Sequence, residues 1–172
     1  MKILLLGECS NVHWTLAKGL RELGHEVRII SHKNWMNYNN DISLTRKSTG
    51  LFDSVCYIIK LIALIPYWRN YDVVQINNLS YFVLLKADQN YRVNEYRKKF
   101  NKKIFMAGYA TDYFYLKSCI IDYKLRYSEF QIGKTLIKHE KNQIEIDDWL
   151  CSPKKDINIK IADNCNGIPT CL

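Results

Sequence analysis

Met1-Lys2-Ile3-Leu4-Leu5-Leu6-Gly7, then Glu8-Cys9-Ser10-Asn11, then a run ending in Glu22-Leu23-Gly24-His25-Glu26-Val27, decides the fold. The apolar residues Ile3 to Leu6 have the length and composition of a strand buried on both faces. Past the turn, Val12, Leu16, Leu20 and Leu23 recur at the spacing of one helical face, with Lys18, Arg21 and Glu22 off it. Asn11 suits the N-cap, and Gly24 suits the C′ position, where φ is positive. Val27 to Ile30 is a second short buried strand. Strand, helix and strand in this order are the opening unit of a parallel α/β sheet. Ligands of such sheets bind beyond the carboxyl ends of the strands, so Gly7 to His13 lies where chemistry is expected.

Working outward, residues 33–50 are polar and rich in Asn (Asn34, Asn37, Asn39, Asn40) and read as a loop. A second helix is predicted over 51–65, with Val55, Ile58, Ile59 and Ile62 on its buried side and Pro66 closing it. Asp72 to Ile76 is a third strand, a third helix runs from about Tyr81 to Lys98, and Ile104 to Ala107 is a fourth strand. Residues 109–133 are aromatic-rich and read as irregular structure with short helical turns. Lys134 to Leu150 holds a further helix, and Ser152-Pro153 opens the last one, with Ile157 and Ile161 facing inward. Gly167 to Leu172 reads as a fifth strand. This alternation predicts a Rossmann-like, doubly wound, mainly parallel sheet with helices on both faces, as a single domain over 1–172. Because the chain stops in strand-like sequence, it is expected to be one domain of a longer protein. In the order 3-2-1-4-5, the first and fourth strands are expected to be neighbours, with Gly7 to His13 facing Gly108 to Asp112.

Composition narrows the class. Of the residues, 48% are hydrophobic, which is the content of a globular chain rather than a disordered one. The formal net charge of +8 favours anionic partners. The six cysteines form no C-x-x-C pair and no His joins them at ligand spacing, so no metal site is expected and a reducing, cytoplasmic setting is. Ile3 to Leu6 is too short for the core of a secretion signal, and Leu51 to Trp68 is interrupted by Asp53 and Lys60, too polar for a spanning helix. No DNA or RNA motif accompanies the charge, so nucleic acid is not an expected partner.

The candidate site residues follow from the strand ends. The first turn carries Gly7 alone, lacking the G-x-G-x-x-G of a dinucleotide site and any Walker P-loop. Amides at the start of the first helix remain a place for an anion. Glu8 and Asn11 line that turn, and His13 in the first helical turn is a candidate base or hydroxyl ligand, or else a surface histidine. Asn77 and Asn78 after the third strand offer paired amide donors and acceptors, or serve the turn. Gly108, Thr111 and Asp112 place a glycine, a hydroxyl and a carboxylate in one loop, suited to polyol recognition or to capping a helix. Arg92, Arg97, Lys98, Lys99, Lys102 and Lys103 read as a solvated basic face or as an anion or membrane patch.

Taken in order, Lys2 to Leu5, Leu20 to Val27, Tyr71 to Ile76, Gly108 to Asp112, and Ile161-Ala162-Asp163 with Cys165 to Ile168 resemble the N-terminal domain of a GT-B-fold glycosyltransferase, near family 4. The resemblance implies an acceptor-binding half, with a second Rossmann-like half that binds the nucleotide-sugar. That nucleotide-sugar is a co-substrate; no resident cofactor is implied. It also implies catalytic roles for His13 or Asp112 in an inverting reaction, and substrate contacts from Gly7, Glu8, Asn11, Asn77, Asn78, Gly108 and Thr111. The implied partner is a glycan or lipid-linked acceptor, with peripheral contact to an anionic membrane. The alternative is a non-catalytic, flavodoxin-like binding or signalling domain. Its receiver form wants an acidic pair after the first strand, where only Glu8 stands.

Overall fold

The computed structural model describes residues 1–32, 40–46, 48–77, 87–108, 111–151 and 153–167, with backbone only for 87–90. The strands β1 (Lys2–Leu6), β2 (Glu26–Ser31), β3 (Ile42–Ser43), β4 (Val73–Ile76) and β5 (Lys103–Met106) form one parallel sheet in the order β3-β2-β1-β4-β5. The helices α1 (Val12–Glu22), α2 (Leu51–Ala63) and α3 (Ala87–Phe100) form the crossovers. This is the doubly wound α/β architecture. The single apolar run at the amino terminus sits in the middle of the sheet, paired with β2 on one side and β4 on the other.

Strand alternation sorts the core into two layers. Ile3, Leu5, Val27 and Ile29 point to one face and pack under Ala17, Leu16, Leu20 and Trp14 of α1. Leu4, Leu6, Ile30, Val74, Ile76 and Ile104 point to the other, under Tyr57 and Leu61 of α2, with Leu64 and Trp68 just past it. The first helix ends as its sequence demands. The Gly24 amide donates to the Arg21 carbonyl at 2.9 Å and the His25 amide to Leu20 at 3.0 Å. With Gly24 at φ +81°, this is a Schellman cap. Leu23 falls outside the packed face and is exposed.

Four expectations change. The 33–50 loop contains β3, whose two residues add an edge to the sheet beside β2; residues 33–39 lie outside the described residues. Counting β3 makes the predicted third strand β4, and β4, not the strand that follows it, is the neighbour of β1. In the second helix, Tyr57 and Leu61 are buried while Val55, Ile59 and Ile62 are exposed; only Ile58 of the four expected residues packs inward. The expected helix from Lys134 begins late. Residues 127–136 instead form an antiparallel sheet of β6 (Tyr127–Ser128), β7 (Gln131–Ile132) and β8 (Thr135–Leu136). Its two-residue strands were too short to leave a periodic signal. The helix follows as α5 (Glu140–Ile146) and runs on into a wider turn over Asp147–Cys151.

The aromatic stretch contains a short α4 (Tyr113–Leu116), as its helical turns suggested. The last helix, α6 (Pro153–Asn164), starts at its proline and seats Ile157 and Ile161 against Met106. The expected cap Ser152 lies outside the described residues, as do 78–86, where the third helix was expected to start. After α6 the chain turns along β5: the Asn166 amide donates to the Ile104 carbonyl at 2.7 Å, and Gly167 bridges Phe105 in parallel. A Cβ on Gly167 would stand 3.2 Å from the Phe105 ring, which is why glycine fits there. Residues 168–172 lie outside the described residues.

Candidate functional site at the carboxyl edge

Because the sheet is parallel, Gly7, Asn77 and Gly108 all emerge at one edge. Leu6 is in register with Ile76, and Ile76 with Met106. The Asn77 amide donates to the Leu6 carbonyl at 2.8 Å and the Ala107 amide to Ile76 at 2.7 Å, so the three loops leave at one level. Asn77, at the end of β4, lies between the ends of β1 and β5. Adjacent strands are about 4.8 Å apart, which puts the Gly7 and Gly108 loops on the order of 10 Å from each other.

The first loop is tied down by its own side chains. Ser10 and Asn11 both adopt left-handed backbone, φ 48° and 64°, and Asn11 is the N-cap of α1 by position but makes no capping bond with its side chain. Glu8 does that work. Its carboxylate accepts from the Cys9 amide at 2.9 Å, the His13 amide at 3.1 Å and the Trp14 amide at 2.9 Å. The amides that would hold a phosphate at a helix start are therefore engaged by a built-in anion. Glu8 is half-buried, and Asn11 is buried behind it.

His13 is fully buried. Its Nδ1 lies 2.7 Å from the Gly7 carbonyl, the geometry of an Nδ1–H donating to that oxygen. Burial pushes its pKa down to about 4, against a smaller raising effect of the Gly7 bond, so the ring is neutral at pH 7. The histidine expected at the cleft surface is instead an internal strut that fixes the turn after β1.

Asn77 is buried as well, and its side-chain Oδ1 has no hydrogen-bond partner among the described residues. Asn78 lies outside them. Asp112 is the N-cap of α4, with Oδ1 accepting from the Tyr115 amide at 2.8 Å. Burial raises its pKa, opposed by the amides of Tyr115 and Phe114. Gly108 and Thr111 beside it are half-buried. The capping alternative for Asp112 is thus realised, without removing the carboxylate from the edge.

The basic run divides. Arg97 is fully buried, with its guanidinium 4.7 Å from the Trp68 ring centroid, so it belongs to the core and not to a solvated face. Lys102 pairs with Asp72 at 2.6 Å, and Asp72 also accepts from the Lys2 amide at 2.7 Å, clasping the amino ends of β1, β4 and β5. These contacts hold the Asp72 carboxyl below its ordinary pKa. Two open grooves of about 440 Å³ and 450 Å³ also lie at that amino edge, one beside Arg28 and Tyr67, the other beside Asn70 and Lys99. Sequence reasoning missed the capping role of Glu8, although an acid five and six residues ahead of the amides of His13 and Trp14 was its signal. No family model, no curated protein and no solved structure matches this chain.

Proposed function

We propose that this chain is the acceptor-binding half of a glycosyltransferase, an enzyme that in complete form moves a sugar from a nucleotide-sugar to a glycan or lipid-linked acceptor. The observation carrying this reading is the buried Asn77 amide, with an oxygen unpartnered among the described residues, set between the Gly7 and Gly108 loops. An amide flanked by a hydroxyl and a carboxylate is the chemistry that binds polyols. In this reading an acceptor hydroxyl donates to Asn77 Oδ1, and Thr111 and Asp112 bind its neighbours. Asp112, with its raised pKa, takes the acceptor proton if the reaction inverts. His13 serves as a positioning residue for Gly7. Glu8 occupies the anion position of α1, so the donor phosphates belong on a second α/β half. The chain works in the cytoplasm, against the inner face of a membrane when the acceptor is lipid-linked.

A second reading, a flavodoxin-like binding domain, draws on one observation. Without the two-residue β3, the remaining strands run in the order 2-1-3-4, the start of the flavodoxin sequence of strands. The carboxylate of Glu8 on the first-loop amides counts against a bound phosphate there.

Titration of the labelled chain with neutral oligosaccharides, followed by amide NMR shifts, tests the first reading. Shifts are expected at residues 7–11, 77 and 111–112. Asp112→Asn, which keeps a capping side chain, should weaken binding about tenfold, the worth of one charged hydrogen bond. Asp112→Ala should in addition lower stability by about 1 kcal/mol through the lost cap. No shifts, or shifts confined to the amino-edge grooves, would remove the acceptor site from this edge.

A further inference from the structure

The outer face of α2 is apolar and uncovered among the described residues. Phe52, Val55, Ile59 and Ile62 are 80%, 56%, 60% and 59% exposed, while Tyr57, Leu61 and Leu64 hold the helix to the sheet. At about 100° per residue, those four fall on one side of the helix, opposite the buried three. A soluble surface rarely carries so continuous an apolar stripe without an interaction to bury it.

The charge around the stripe points to what covers it. Residues 42–103, the segment that builds α2 and α3, contain eleven Lys and Arg against four Asp and Glu, which is +7 of the chain's +8. Lys60 on α2 is exposed and donates to the Ser43 carbonyl. Arg69, just past α2, is exposed with its guanidinium 5.2 Å and 4.6 Å from the Tyr96 and Phe100 rings. The acids nearby are Asp53, engaged by Ser48, and Glu95, engaged by Tyr91. α3, with Arg92, Lys98 and Lys99 exposed, packs on the same side of the sheet as α2.

We propose that α2 is an interfacial docking helix for an anionic bilayer. Its outer stripe enters the headgroup boundary, and the exposed cations on and beside α2 and α3, Arg69, Arg92, Lys98 and Lys99, hold the lipid phosphates. This deepens the membrane side of the reading above, but it stands on α2 and the charge distribution, and its assay contains neither glycan nor nucleotide-sugar. The full chain would be sedimented with vesicles of phosphatidylcholine alone, and with about one third phosphatidylglycerol. Binding is expected to the anionic vesicles, falling about tenfold between about 0.05 and 0.5 M salt. The double variant Ile59→Glu/Ile62→Glu should bind at least about tenfold more weakly, with an unchanged melting temperature, because both residues are exposed. If that variant does not fold, Phe52→Ser/Val55→Ser takes its place. No binding to anionic vesicles at low salt overturns the proposal. So does equal binding by a folded stripe variant, which would leave the apolar face without a part. A dimer in sedimentation velocity that the stripe variant dissociates, with no vesicle binding, would assign the face to a second copy instead.

Discussion

His13 stands where the sequence placed it, but not in the surroundings expected of it. It does stand at the carboxyl edge, but its ring is inside, and its proton satisfies the Gly7 carbonyl. The consequence is a pH dependence of stability with a defined sign. A folded pKa of about 4 against an ordinary 6.5 means that protonation favours the unfolded chain. The stabilisation from neutral His13 is complete above about pH 6.5 and is lost as the pH falls towards 4. Its upper bound is on the order of 3 kcal/mol, at 1.36 kcal/mol per unit. His13→Gln keeps a donor near Gly7 and removes the titration. Urea unfolding at about pH 7.5 and 4.5 should show the native chain losing about 2 kcal/mol more than the variant. Equal losses would mean that other groups carry the acid sensitivity. Glu8 teaches the complementary lesson: a carboxylate beside a helix start is an internal cap before it is a catalyst.

At the scale of an element, α2 is the most instructive. Its sequence is apolar nearly all round, so periodicity defines two faces and cannot say which one the sheet takes. The packed face is the one holding the aromatic Tyr57 and leading into Trp68, which fill more of the space over β1 and β4 than Val55 and Ile59 would. Leu61→Ala should therefore cost about 2–4 kcal/mol, the range for deleting a buried leucine. Ile59→Ser should stay within about 0.5 kcal/mol, as exposed positions do. Denaturant midpoints would settle this, and equal costs would mean that α2 docks through its other side. Long strands with continuous apolar runs, and α1 with its glycine cap, were legible from the sequence because pattern, turn and length agree there. The two-residue strands β3, β6, β7 and β8 were not, since pairing rather than composition creates them. For the site, the loops were legible from strand ends alone. The burial of His13 and Asn77 was not, because burial depends on what folds over a residue.

At the scale of the whole molecule, the two edges of the sheet divide the work. The amino edge is clasped by Asp72, and the carboxyl edge presents a polar tier with Asn77 at its centre. The third surface is the α2–α3 side, with Lys60, Arg69, Arg92, Lys98 and Lys99 exposed on or beside those helices. The central place of β1 also sets how the chain must assemble. Ile3 pairs with Val27 but also with Val73, 70 residues later, so the first strand synthesised waits for β4, well down the chain, before its second edge is closed. Closing so long a loop is entropically costly and non-local pairing is slow, so refolding is expected in milliseconds to seconds rather than microseconds. Val74→Ala, at the β1–β4 seam, should slow refolding in stopped-flow measurements, whereas Val27→Ala should mainly speed unfolding. If both act only on unfolding, the seam forms after the rate-limiting step. Until that seam closes, Leu4 and Leu6 are open to any passing strand, and the amino-terminal run that decides the native fold is also the place where misassembly would begin.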